Sequence, residues 1–187
     1  MPLTTLDPNT ALIVVDLQKG LVGAMPAETF DPVVARSRAL ADAFRAGGLP
    51  VVLVTVDGIA PGRTEHAARL PSDLPAGFAD VLPELARQPG DILVTKRTWG
   101  VFASTDLERQ LRGLGVTQVV VTGVATGAGV ESTARQAYEA GFNVTLAVDA
   151  MTDSRAEAHA FCVASVFPRL GETGTTEDIL HLLEGRA

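Results

Sequence analysis

Cysteine is almost absent: Cys162 is the single one in 187 residues, so no intrachain disulfide can form. That usage fits a reducing compartment, and the cytoplasm is the expected location. Aromatics are scarce as well, at 5% with one Trp and one Tyr, so the core has to be largely aliphatic. An excess of positive charge is missing. The formal net charge is −7, which excludes nucleic acid and anionic membranes as partners on electrostatic grounds. No apolar run approaches the roughly 20 residues needed to cross a bilayer. The opening "MPLTTLDPNT" has no basic n-region, so no secretory leader is expected. The histidines His66, His159 and His181 stand alone, without Asp-x-His or His-x-x-x-His spacing, so no metal site is expected. Phosphate-loop and dinucleotide glycine spacings are missing too, and no cofactor is expected.

What is present is a high apolar fraction, 47%, in a length typical of one domain spanning 1–187. Such a chain can bury a sizeable core without staples. The apolar surplus also points to a homo-oligomer. "ALIVVDLQ" (11–18) and "LPVVLVTVD" (49–57) read as strands buried on both faces. Between them, 31–47 reads as a helix with Asp31 as N-cap, Pro32 at its first position and Gly47-Gly48 at its end. Residues 58–90 carry Pro and Gly with little periodicity and read as a long excursion with a short helix near 78–87.

"DILVTK" (91–96) is a third strand. Ser104 or Thr105 caps a helix through Arg112, with Thr105 and Glu108 spaced as a capping box. "TQVVVTG" (117–123) is a fourth strand, followed by a helix over 128–140 stopped by Gly141. "FNVTLAVD" (142–149) is a fifth strand, before a helix over 154–166. "RLGETGT" gives a short last strand. Thr175 and Asp178 cap a final helix, 176–184. The alternation predicts an α/β fold: a parallel sheet of about six strands with helices on both faces.

In such sheets the ligand crevice lies at the carboxyl ends of the strands. Asp16 and Lys96 fall at two of those ends, and the turn "TGVATGAG" follows a third. Asp16 and Lys96 would favour each other's charged state. They would serve proton transfer, hold a polar substrate group, or merely close a structural salt bridge. The turn offers backbone N–H groups at a helix start, suited to an anion or oxyanion. A tight turn packing helix on strand would use the same glycines. Cys162 reads as a buried, inert thiol.

The blocks "ALIVVDLQKG" and "VTKRTWGVFASTDLERQLRGLGVTQVVVTGVATGAGVESTARQAYEAGFNVTLAVDAMTD" carry a resemblance over nearly the whole chain. The chain resembles the isochorismatase-like hydrolases, or cysteine hydrolases, a superfamily that includes nicotinamidases and carbamoyl-type amidases. The resemblance implies a Rossmann-like three-layer sandwich and a catalytic Asp, Lys and Cys. Asp16 and Lys96 match the first two. The Cys position is occupied by Gly129. A non-proline cis peptide at Val124–Ala125 is also implied, placing Ala125 and Thr126 beside the substrate.

Glycine cannot attack a carbonyl, so amidase chemistry through residue 129 is excluded. Thr126 is close, but a threonine nucleophile needs its own base. "VDGIAPGRTEH" lacks the metal motif of the nicotinamidase branch. Isochorismatases proper hydrolyse a vinyl ether without a cysteine, the Asp acting as general acid. The resemblance therefore implies small-molecule hydrolysis with Asp16 as acid and Lys96 orienting the substrate or tuning the acid. An inactive member that binds a small ligand, or serves as a scaffold, would show the same residues. Trp99 and Phe102 are expected to line the crevice, or to pack in the core or against a second subunit. Gln18 is expected to bond the substrate or the excursion loop.

Overall fold

A computed structural model describes residues 3–65 and 73–185. His66 lies outside the described residues. Six parallel strands form one sheet: β1 (Thr10–Val15), β2 (Val51–Val56), β3 (Ile92–Lys96), β4 (Gln118–Val124), β5 (Asn143–Thr152) and β6 (Glu172–Gly174). Their order across the sheet is β3-β2-β1-β4-β5-β6. The helices are α1 (Ala27–Ala46), α2 (Leu107–Gly113), α3 (Glu131–Glu139), α4 (Ala156–Phe161) and α5 (Thr176–Glu184).

The continuous apolar runs follow from two-sided burial. Successive strand residues face opposite sides. In β1, Ala11, Ile13 and Val15 join one core with Leu107 and Leu111 of α2, Ala134 and Ala137 of α3, and Phe167. Leu12 and Val14 join the other, with Phe30, Leu40 and Phe44 of α1 and Ile179 of α5. The result is the three-layer α/β sandwich read from the alternation. No described helix is long and apolar enough to cross a membrane.

Several boundaries differ from the sequence reading. Helix α1 starts at Ala27, with Pro26 rather than Asp31 in the cap position, and Pro32 sits inside the helix. Buried Phe30 anchors the extra turn, its N–H donating to the Pro26 carbonyl at 3.0 Å. Near the helix start, Pro32 forfeits few backbone bonds, so tertiary burial overrides its preference. The capping box at Thr105 and Glu108 does not form. Asp106 holds the cap position, while Thr105 Oγ1 donates to the Val101 carbonyl at 2.7 Å. The box at Thr175 and Asp178 does form. In the excursion, only a 3-10 turn, Pro83–Leu85, replaces the expected helix over 78–87. The helix expected over 128–140 opens with a wide π turn, Thr126–Val130, and the one expected over 154–166 changes to a π turn after Phe161.

Gly123 fixes the junction between β4 and β1 at the edge of the site. Its φ is +108°, and an added Cβ would fall 2.1 Å from the Val15 carbonyl oxygen. Neither backbone can yield without breaking the ladder. Gly123→Ala should cost more than about 4 kcal/mol and abolish a cooperative urea transition. A Gly123→Ala chain that unfolds at the wild-type midpoint would refute this account.

Candidate active site

Strand β1 ends where Asp16 turns into a left-handed conformation, φ 55°. Its backbone N–H still donates to Val54 of β2 at 2.9 Å, so the reversal is held by the sheet. The turn throws the carboxylate over the strand ends, where it is 5% exposed. Lys96 ends β3, two strands away, and is 2% exposed. Adjacent strands lie roughly 4.8 Å apart, so the lysine must extend across β2. Its Nζ donates to Asp16 Oδ2 at 2.7 Å.

The two carboxylate oxygens are not equivalent. Oδ2 carries the Lys96 bond, whereas Oδ1 is buried with no protein hydrogen-bond partner among the described residues. Burial pushes the Asp16 carboxyl up to about 6, against the downward pull of the Lys96 charge and hydrogen bond. A protonated Oδ1 would be a donor held in place by its sister oxygen.

The peptide between Val124 and Ala125, at the end of β4, is cis. The π turn then begins, with the Ala125 carbonyl accepting from Ala128 at 3.1 Å and Val130 at 3.2 Å. Gly129 is buried against β1. A Cβ built on it lies 3.0 Å from Asp16 Oδ2, from the Val124 carbonyl oxygen and from Val15 Cγ1. Asp16 itself therefore closes the space beside Gly129, with the strand ends completing the contact.

The other expected site residues divide. Gln18 is wholly buried and spends its amide on the protein: Oε1 accepts from Val56 N at 2.7 Å, and Nε2 donates to the carbonyls of Val56 and Phe78. It ties β2 to the excursion loop. Phe102 packs against the core, its ring 5.9 Å from that of Phe142. Trp99 is 64% exposed. Thr126 is wholly buried, and its hydroxyl hydrogen-bonds His159 Nδ1 at 2.9 Å. The lone-histidine reading gave no hint of that contact, because α4 meets the turn only through the fold. Asp153 was likewise missed as a site residue; its Oδ2 accepts from Gly127 N at 2.8 Å.

Cys162 is 2% exposed, and its Sγ donates to Glu131 Oε2 at 3.4 Å. Burial, reinforced by the Glu131 charge, pushes this thiol up to about 12. It is a thiol rather than a thiolate at neutral pH. Among the described residues no cluster of three or more His, Cys, Asp or Glu is arranged to hold a metal ion.

The Isochorismatase domain model matches residues 10–178. The chain is 40% identical over 179 residues to the uncharacterized isochorismatase family protein YwoC of Bacillus subtilis, covering 92% of this chain and 93% of that one. It is 34% identical over 167 residues to the ureidoacrylate amidohydrolase RutB of Stutzerimonas stutzeri, covering 73% and 67%. Among solved structures, an isochorismatase family protein from Burkholderia thailandensis superposes with a TM-score of 0.90 at 40% identity, covering 96% of this chain and 98% of that one.

The atoms around Gly129 are poorly placed to yield: one is backbone, one belongs to the central strand, and one is clamped by Lys96. Gly129→Ala should therefore lower stability by about 1–2 kcal/mol despite the better helix propensity of alanine. Chemical denaturation measures it, and a stabilised Gly129→Ala protein would show that Asp16 is free to retreat.

Proposed function

Because the chain belongs to the isochorismatase family of hydrolases, we propose that it hydrolyses a small enol (vinyl) ether, with Asp16 as general acid and no covalent intermediate. One observation carries this reading. Asp16 is a buried carboxyl pushed up to about 6, with one oxygen bonded to Lys96 and the other unpartnered. General acids work best with a pKa near the working pH.

In this scheme, the proton on Asp16 moves to the terminal carbon of the C=C bond, and the ether-bearing carbon becomes an oxocarbenium. Asp16, now a carboxylate, is stabilised by Lys96 at 2.7 Å. Water adds to the cation, and the proton it gives up restores the acid. The hemiketal so formed breaks its C–O bond to release a ketone and an alcohol. No thiol is required. Gly129 supplies no nucleophile, and Cys162 is engaged with Glu131. Amide hydrolysis, the activity named for RutB, is harder to support at this site, because amide attack needs a nucleophile or a metal. Thr126 has His159 as a neighbour, but its side chain faces α4 and it is wholly buried.

The deep burial of Asp16 and Lys96 favours a second reading, a family member that binds a small ligand without turning it over. A soluble homo-oligomer in which a second copy covers exposed Trp99 is compatible with either reading.

Pyruvate release from isochorismate and simpler enol ethers separates the readings. Wild type should turn over, and Asp16→Asn should lose at least about 10²-fold in kcat/KM. The acid must be protonated to act, and its pKa is raised. Hence kcat/KM should be flat below about pH 6 and fall roughly tenfold per unit above it. A rate that climbs with pH through 6 would show a base at work, and a wild type no faster than Asp16→Asn would leave only the binding role.

A further inference from the structure

We infer that Asp153 and His159, from the segment after β5, are positioning residues that hold the Thr126–Val130 turn against Asp16. The inference rests on the general-acid reading of Asp16.

The two glycines of the turn face opposite ways. A Cβ on Gly127 would meet Asp153 Oδ2 at 3.4 Å, Ala158 Cβ at 3.5 Å and Cys162 Sγ at 3.7 Å, all on the α4 side. A Cβ on Gly129 would meet Val15 and Asp16 on the β1 side. The turn is thus a thin layer between α4 and the acid, with glycine wherever a side chain would thicken it. Two polar contacts fasten its outer surface: Gly127 N to Asp153 Oδ2 at 2.8 Å, and Thr126 Oγ1 with His159 Nδ1 at 2.9 Å. Asp153 is itself oriented by Arg155 N, which donates to Oδ1 at 3.1 Å.

The downstream end is fastened separately. Thr133 and Gln136 of α3 accept from the N–H groups of Val101 and Phe102 at 3.3 and 2.9 Å. Asp153 and His159 fasten the first turn residues from the α4 side. Their consequence is dry packing over Asp16, the condition that burial imposes on its proton affinity. Glu131, Asp153 and Arg135 are the charged groups that act on this side of the turn, as their influence on Cys162 records. Lys96 acts from the other side.

The test is a 13C-NMR titration of the Asp16 carboxyl in the full chain, assigned with Asp16→Asn. Thr126→Val removes a hydroxyl without changing charge or shape, so any shift it causes is positional. Thr126→Val and His159→Phe should lower the Asp16 midpoint by about half a unit or more as water reaches the carboxyl. His159→Asn, whose amide nitrogen occupies the Nδ1 position, should keep the wild-type midpoint. Asp153→Ala should behave as His159→Phe does, while Asp153→Asn keeps an accepting oxygen and should not. Where enol-ether turnover is present, the lowered variants should lose about tenfold or more in kcat with KM within about twofold. Unchanged midpoints in Thr126→Val and His159→Phe would overturn the inference. A wild type without turnover would sink the general-acid reading alone, since the titration decides the role of the turn by itself.

Discussion

The rest of the site depends on one buried contact, the 2.7 Å bond between Lys96 and Asp16. It spans three strands and joins the sheet's edge to its centre. A buried ion pair is a poor strut, because desolvation offsets most of the attraction. The Asp16 carboxyl shows this directly: burial outweighs the lysine and leaves its pKa above the ordinary carboxylate value. The sign for stability follows. The folded chain holds this proton more tightly than the unfolded chain, so the contribution is fullest in acid and is lost as pH rises through about 6. A pair that costs stability at neutral pH is more readily understood as chemistry than as architecture.

Gly129 belongs to the same constraint. Seen as a missing side chain, it suggests a hole beside the acid. The packing says otherwise, since Asp16, Val124 and Val15 all stand 3.0 Å from where a Cβ would begin. The acid, the cis peptide and the π turn fit one another around a glycine. That arrangement suits a site in which Asp16 does the bond-making step and no thiol shares the space. It also explains why glycine sits where this helix opens, at the cost of local propensity: the turn comes so close to the carboxyl that a methyl group would need its neighbours to shift by a few tenths of an ångström.

Much of this was legible in the sequence. Buried strands announce themselves as unbroken aliphatic runs, and polar residues at their ends stand out. Asp16, Lys96 and the glycine turn were visible for that reason. Boundaries were less legible where burial competes with local preference, as with Phe30 pulling α1 past Pro32. Gln18, Trp99 and Phe102 lie close in sequence to the acid or the lysine, but proximity along the chain does not fix direction. Gln18 turned to the backbone of β2 and Phe102 to Phe142. His159 and Asp153 were invisible as a pair. Their bonds to Thr126 and Gly127 cross 33 and 26 residues and exist only because α4 lies over the turn.

The inequality of the two Asp16 oxygens draws these strands together. Lys96 fixes Oδ2 and so fixes the plane of the carboxyl. Gly129 lies against that bonded side, where an added Cβ would stand 3.0 Å from Oδ2. A proton on Asp16 is therefore directed to Oδ1, which has no hydrogen-bond partner among the described residues. The lysine cannot take over as acid without losing the bond that orients the carboxyl. In the proposed reaction it would stay charged, opposing protonation before the proton leaves and stabilising the carboxylate afterwards. Burial supplies the proton affinity and Lys96 limits it, a balance that the proposed transfer of the proton to carbon, and its return from water, would require. A mere lining of apolar residues would raise the pKa further and make the proton harder to give. At about 6 the carboxyl keeps roughly a tenth of its population protonated at pH 7, where a fully solvated pair would leave Asp16 almost wholly ionised.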